Sequence, residues 1–269
     1  MIGIINLDGV NCVKDGRIIL DNLSFSISKG TFVSIVGANG SGKSVFLKIL
    51  AGICTYNGYI NVNGYYLDKS NINLIRKNVS VVFDDIDGSI IDDTVYDNLV
   101  MELIHMNKDK KYIDKRVEEI CSLFGIRDIL YRNMNLLSNS ERQKVLIASS
   151  LISEPDILLL DDCMHQMSNK DRKNIIDILN KIKKKEGLTI IMATHNTEDV
   201  MFTDRVMVLD RGKITLDGTP TSIFKRRDIL DKCGVSIPFV IDLSLRLVDK
   251  GIIKHVYFDV RKLVDAVWK

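Results

Sequence analysis

Gly37-Ala38-Asn39-Gly40-Ser41-Gly42-Lys43-Ser44 is the stretch that decides the fold. It carries every fixed position of the phosphate-cradling pattern G-x-x-x-x-G-K-[S/T]. Before it, Thr31 to Val36 is β-branched and apolar, which suits a buried strand. After it, Val45, Phe46, Leu47, Ile49 and Leu50 suit a buried helix. In a strand–loop–helix context such a loop turns backbone N–H groups inward around phosphate oxygens, backed by the positive end of the helix dipole. The eight residues Gly37, Ala38, Asn39, Gly40, Ser41, Gly42, Lys43 and Ser44 are therefore the expected triphosphate cradle. Lys43 would reach the terminal phosphates, and the Ser44 hydroxyl would coordinate Mg²⁺.

Ile157-Leu158-Leu159-Leu160-Asp161 supplies the matching carboxylate. Four apolar residues carry Asp161 to the end of a buried strand, where it would hold Mg²⁺ beside Ser44. Outward from these two anchors, strands and helices alternate. The alternating Leu23-Ser24-Phe25-Ser26-Ile27-Ser28 reads as a half-buried antiparallel strand, and residues 59–62 as a short strand between Asn57-Gly58 and Asn63-Gly64 turns. Residues 79–83, 189–193 and 206–209 read as strands, and residues 171–185 as an amphipathic helix. The expected class is α/β: a P-loop core of mixed sheet flanked by helices, with an antiparallel β subdomain. Residues 94–152 turn helical and interrupt the alternation, so they read as an inserted helical subdomain. The expected division is a nucleotide-binding domain over residues 1–220 and a short, mostly helical C-terminal extension over residues 221–269.

Composition narrows the function. With 46% apolar and 27% charged residues the chain reads as globular rather than disordered. Lys and Arg total 37 against 35 Asp and Glu, a balance that argues against a nucleic-acid binder. No apolar run approaches the ~18 residues that suggest a membrane span, and the N-terminal Met1-Ile2-Gly3-Ile4 has no basic leader pattern. Cys12, Cys54, Cys121, Cys163 and Cys233 are odd in number and contain no C-x-x-C pair, which argues against a disulfide framework or a zinc site.

Further motifs give the family. Leu137-Ser138-Asn139-Ser140-Glu141-Arg142-Gln143-Lys144 precedes the Asp161 strand, and Ile190-Ile191-Met192-Ala193-Thr194-His195 follows it. In that order the chain resembles the ATP-binding cassette family over nearly its whole length: the first is similar to the Leu-Ser-Gly-Gly-Gln signature, the second to the strand that delivers the switch histidine. Residues 83–97 and Cys233-Gly234-Val235-Ser236-Ile237-Pro238-Phe239-Val240 resemble the Q-loop region and the tail of energy-coupling factor and cobalt-type importers. The resemblance implies ATP and Mg²⁺ as ligands, with Ser44, Asp84 and Asp161 at the metal and Asp162 and His195 at the reacting phosphate. It implies that Ser138, Asn139, Ser140 and Glu141 face the ATP of a second cassette, that the extension helps dimerisation, and that the pair sits on the cytoplasmic face of the membrane. An integral coupling subunit and a substrate-binding membrane subunit complete the implied machine.

The departures are informative. Asn139 and Ser140 replace the signature glycines, and Glu141 its glutamine. Asp162 stands where the family has the longer Glu, and a misplacement of ~1 Å can cost on the order of 100-fold in rate. Asp84 replaces the Q-loop Gln, His165-Gln166-Met167-Ser168 replaces the D-loop Ser-Ala-Leu-Asp, and no adenine-stacking aromatic lies near Cys12 and Val13. The expected function is the ATP-hydrolysing subunit of an importer for a vitamin or metal ion, in a heterodimer with a more conventional cassette. The alternative is a catalytically weak regulatory subunit beside an active one.

Overall fold

In the computed structural model, residues 3–268 are described; Met1, Ile2, Lys269 and the Asp87 side chain lie outside the described residues, and with them part of the stretch read for a leader. A hairpin of β1 (Ile5–Lys14) and β2 (Arg17–Ile27) precedes β3 (Phe32–Val36), the glycine-rich loop and α1 (Lys43–Leu50). Next come β4 (Asn57–Val62), β5 (Tyr65–Tyr66), α2 (Ile72–Arg76) and β6 (Val79–Val82). Then come α3 (Ile86–Ser89) and, within residues 94–152, the helices α4 (Val95–His105), α5 (Lys110–Phe124) and α6 (Asn139–Ser150). The core resumes with β7 (Ile157–Asp161), α7 (Asn169–Glu186), β8 (Thr189–Ala193), α8 (Thr197–Val200), β9 (Arg205–Asp210) and β10 (Lys213–Gly218). The chain ends in α9 (Pro220–Ile223), α10 (Arg227–Lys232), α11 (Phe239–Asp249) and α12 (Val260–Val267).

The main sheet has six strands in the order β10-β9-β3-β8-β7-β6, parallel except for β10. The second sheet, β2-β1-β4-β5, is antiparallel. The fold is thus the expected mixed α/β core with an antiparallel subdomain. Several boundaries shift from the sequence reading: β2 starts at Arg17, well before residue 23, and β4 starts at Asn57 rather than after Gly58, where Gly58 adopts φ 107 inside the ladder and its backbone closes on Gly9.

Period-two alternation sends each central strand to two cores at once. In β7, Leu158 and Leu160 join the core under α7 and the helical insertion, while Ile157 and Leu159 join the core around α1. β8 divides likewise, Ile190 and Met192 against Ile191 and Ala193. Helix α1 buries Phe46, Leu47, Ile49 and Leu50 in the core that includes Val33 and Ile35 from one sheet and Leu7, Leu20 and Ile27 from the other. On the far side, Val36, Val206 and Val208 share a third core with Ile223, Phe224, Leu230, Val235 and Ile241, so the C-terminal helices are built onto the sheet. Among the described residues no helix is long and apolar enough to cross a membrane.

Gly212, in the β9–β10 turn, joins the subdomain to the phosphate loop. Its N–H donates to the Ser41 carbonyl at 3.1 Å, and its carbonyl accepts from the Asp21 N–H at 2.9 Å. It adopts φ 80, and a Cβ there would meet the Ile19 carbonyl oxygen at 2.5 Å. Gly212→Ala is expected to cost about 1–3 kcal/mol, read as a lower urea midpoint at unchanged slope, and to loosen the loop it anchors.

Candidate active site

Strand register sets the site. Ile35 of β3 pairs with Ala193 of β8, and Ala193 pairs with Asp161 of β7. Three parallel strands therefore end at one level, and the loops that leave them share one edge of the sheet, the usual ligand edge of an α/β sheet. β3 delivers the loop 37–44, β7 delivers Asp161 and Asp162, and β8 delivers His195.

Gly37 cannot carry a side chain, because a Cβ there would lie 2.1 Å from the Leu209 carbonyl oxygen. The loop runs that close to β9 before turning into α1. Lys43 lies back over the loop, its Nζ donating to the carbonyls of Gly37 at 2.7 Å and Ala38 at 3.1 Å. Burial pushes its ammonium below the ordinary value, opposed by the Asp162 and Asp161 carboxylates. The Ser44 hydroxyl donates to Asp161 Oδ1 at 2.9 Å. Asp161 is only 5% exposed. Its burial pushes the carboxyl upward, against the Ser44 hydroxyl and Lys48, and Asp162 and Asp84 add to the rise. A hydroxyl and a carboxylate in contact at the foot of the loop make a hard-oxygen pair of the kind Mg²⁺ accepts. Among the described residues no group of three or more His, Cys, Asp or Glu is arranged to hold a metal ion.

Asp162 meets His195. Its Oδ2 is 2.7 Å from His195 Nδ1, and its own N–H donates to the Ala193 carbonyl at 2.9 Å. An ionised carboxylate only accepts, so Nδ1 carries the proton in this pair. Asp162 has φ 50. Asp is among the residues that tolerate this left-handed region best, which gives a local reason for the shorter acid at this position. A cavity of ≈ 380 Å³ is lined by Gly37, Ala38, Asn39, Asp162, His195 and the tail residues Gly234 to Ser236, with Val36 behind. The tail is held there by Ser236 Oγ, 3.4 Å from Thr197 Oγ1, and by the Phe239 N–H, which donates to Glu198 Oε1 at 3.2 Å. Gly37 to Ser44, Asp161, Asp162 and His195 therefore come together as one constellation.

Asp84 is placed differently from the other acids. Its carboxylate is 57% exposed and pairs with His165 Nδ1 at 2.9 Å. His165 Nδ1 also lies 3.0 Å from the Asp162 carbonyl. Only the fold shows that two departures, Asp84 and His165, face each other.

The signature residues form the start of α6. The Ser138 hydroxyl accepts from the Glu141 N–H at 3.3 Å, and Glu141 Oε2 accepts from the Ser138 N–H at 2.9 Å and its hydroxyl at 2.7 Å. This reciprocal capping box turns the Glu141 charge back onto its own helix and holds its carboxyl below the usual range. The spacing Ser138-x-x-Glu141 is visible in sequence, and its effect on that charge follows from it. Asn139 is exposed and Ser140 half-buried. Val13 and Ile18, a cross-strand pair in the hairpin, are exposed where the family's aromatic is missing.

Residues 20–165 match the family model described as ABC transporter. The chain is 33% identical to the energy-coupling factor transporter ATP-binding protein EcfA1 of Oceanobacillus iheyensis, over 95% of this chain and 92% of that protein. It is also similar to cbiO1 of Clostridium perfringens, part of the ABC transporter complex cbiONQ, with a TM-score of 0.79 at 26% identity over 93% of this chain and 98% of the other. A second similar structure is that of the ATP-binding cassette MJ0796, a dimer with ADP and Pi in a post-hydrolysis state, at a TM-score of 0.73 and 25% identity over 80% and 98% of the two chains.

The Asp161 environment sets a sign. A carboxyl raised by burial contributes stability below its unfolded pKa and loses it as pH rises through the folded one. At neutral pH the buried charge is a cost. Asp161→Asn, which keeps an acceptor for Ser44, is expected to raise the melting temperature of the nucleotide-free chain by about 2–4 °C for each kcal/mol recovered. The gain shrinks as pH falls into the carboxylate range; calorimetric melts across pH check it.

Proposed function

We propose a function from one premise, that this chain belongs to the ABC transporter family: it is the ATP-binding, ATP-hydrolysing subunit of an energy-coupling factor-type importer. Its cargo class is a vitamin or a metal ion, carried by membrane subunits that this chain energises. The observation that supports the reading is the single-edge constellation of phosphate loop, Ser44–Asp161 pair and Asp162–His195 pair.

In this reading the triphosphate lies in the loop 37–44, and its phosphate oxygens take the Lys43 ammonium from the Gly37 and Ala38 carbonyls. Ser44 and Asp161 would hold Mg²⁺, and Asp84, paired with His165, would have to leave that partner to join them. The ion supplies charge neutralisation on the phosphates. Asp162 accepts a hydrogen bond from the attacking water and orients it. His195 anchors Asp162 through Nδ1–H and offers Nε2 to the terminal phosphate; the ring donates there only when both nitrogens carry protons. Exposed Val13 and Ile18 give the base an apolar surface in place of an aromatic one.

The departures sort into two composite sites. Asp162 acts on the nucleotide in this chain's own loop, whereas Ser138, Asn139, Ser140 and Glu141 act on the partner's. A homodimer would carry both sets of changes in both sites. A heterodimer with a second cassette of more regular sequence keeps them apart, and we favour it. The pair rests on an integral coupling subunit at the cytoplasmic face, with residues 221–269 contributing to the contact between cassettes.

Asp162→Asn is expected to lower hydrolysis at this chain's own site by about 10²–10⁴-fold, and the turnover of the co-purified complex by that site's share, while MgATP binding persists. Lys43→Ala is expected to abolish nucleotide binding to this chain. Steady-state ATPase assays and titration calorimetry check the two, and intact mass of the purified complex reads the cassette composition. Unchanged turnover in Asp162→Asn, with binding intact, would remove this site from catalysis.

A further inference from the structure

Two further departures from the family pattern meet at one carboxylate. Ser140 stands where the signature has its second glycine, and Ser168 where the D-loop has its terminal Asp. Ser168 is the N-cap of α7 and accepts from the Asp171 N–H at 3.2 Å. Its hydroxyl donates to Asp171 Oδ2 at 2.7 Å, and the Ser140 hydroxyl donates to the same oxygen at 3.2 Å. These hydroxyls, Ser168 first, hold the Asp171 carboxyl below the usual carboxylate range against its burial, with Lys144 and Lys170 adding to the effect.

Helices α6 and α7 share one apolar core, but their N-terminal ends come from segments far apart in the chain. α6 starts at the signature in the helical insertion, and α7 follows the strand that carries Asp161. A glycine at 140 could make no such bond, and an aspartate at 168 would place a second negative charge against Asp171. A glycine at 140 would therefore remove the link between the helices, and Ser168 keeps the Asp171 carboxylate in place at the α7 cap without adding charge beside it. Hydrogen bonds to an ionised acceptor are the stronger kind.

We propose that Asp171 is a positioning residue: it ties the signature of this chain to its D-loop helix, so that the two approach a partner cassette as one unit. This rests on the reading above, in which the signature meets the partner's nucleotide. Ser140 thus loses the close approach of a glycine but gains a fixed place, and the cost of ordering the signature is met within the chain before the partner arrives.

The test uses the complete complex carrying Asp171→Ala, Ser140→Ala, or both. Ser140→Ala removes only the donor and leaves the start of α7 intact. Each single change is expected to raise the ATP concentration for half-maximal turnover by about 3–10-fold, with kcat at saturating ATP altered far less. The double change is expected to be no worse than the more severe single one, because both remove one bond. Affinity of a non-hydrolysable ATP analogue for this chain alone stays within about 2-fold, since Asp171 lies outside its own phosphate loop. Ser138→Ala is the control on the premise. If Ser138→Ala depresses turnover but Asp171→Ala does not raise the half-saturating concentration, or the two single effects multiply in the double variant, the inference is wrong while the reading of the site stands. If Ser138→Ala is silent, the premise fails and the inference falls with it.

Discussion

The register of three parallel strands is the constraint on which the rest depends. Ile35, Ala193 and Asp161 lie side by side across β3, β8 and β7, so each strand ends at the same height. Parallel pairing of this kind survives only where both faces are covered, and here they are, by α7 and the helical insertion on one side and α1 with the antiparallel sheet on the other. A one-residue slip of β7 would reverse which of Leu158 and Leu159 faces which core. It would also withdraw Asp161 from Ser44. Packing and chemistry are thus enforced by the same pairing.

On that edge the electrostatics are arranged around charges kept from water. Asp161 is buried with one hydroxyl for company, and Lys43 bends onto two carbonyls. Both ionised groups are held at a desolvation cost that a triphosphate with its cation would relieve. The Asp162–His195 pair sits at the mouth of the same cavity, and the C-terminal tail closes its far wall through Gly234, Val235 and Ser236. The tail therefore lines the same cavity as the phosphate loop and the Asp162–His195 pair.

The residues from Asp161 into the first turn of α7 form a junction. His165 reaches Asp84 in one direction, Asp171 reaches Ser140 in another, and Arg172 bonds both the Met167 carbonyl at 3.2 Å and Asp199 at 3.1 Å in a third. Asp199 lies on the short helix after His195, largely buried and paired with that one arginine. Several of these contacts are made by residues that differ from the family pattern, and they differ together: the acid at 84 faces the histidine at 165, and the serines at 140 and 168 share Asp171. Read singly these positions look degraded; read in space they are partnered.

Sequence by itself determined the elements whose cause is local. The loop 37–44 needs only its own glycines, lysine and serine to be recognised, β7 and β8 need only their apolar runs, and the caps Ser138-x-x-Glu141 and Ser168-x-x-Asp171 lie within one helical turn. Those signals act over a few residues, so a linear reading reaches them. Tertiary structure alone decided that Gly37 presses against Leu209, that Asp162 adopts a left-handed backbone suited to its short side chain, that His165 finds Asp84, and that Ser140 finds Asp171. Each of those contacts joins segments set side by side by strand order and helix packing, and no local periodicity records which distant residue will fill the space beside a given one.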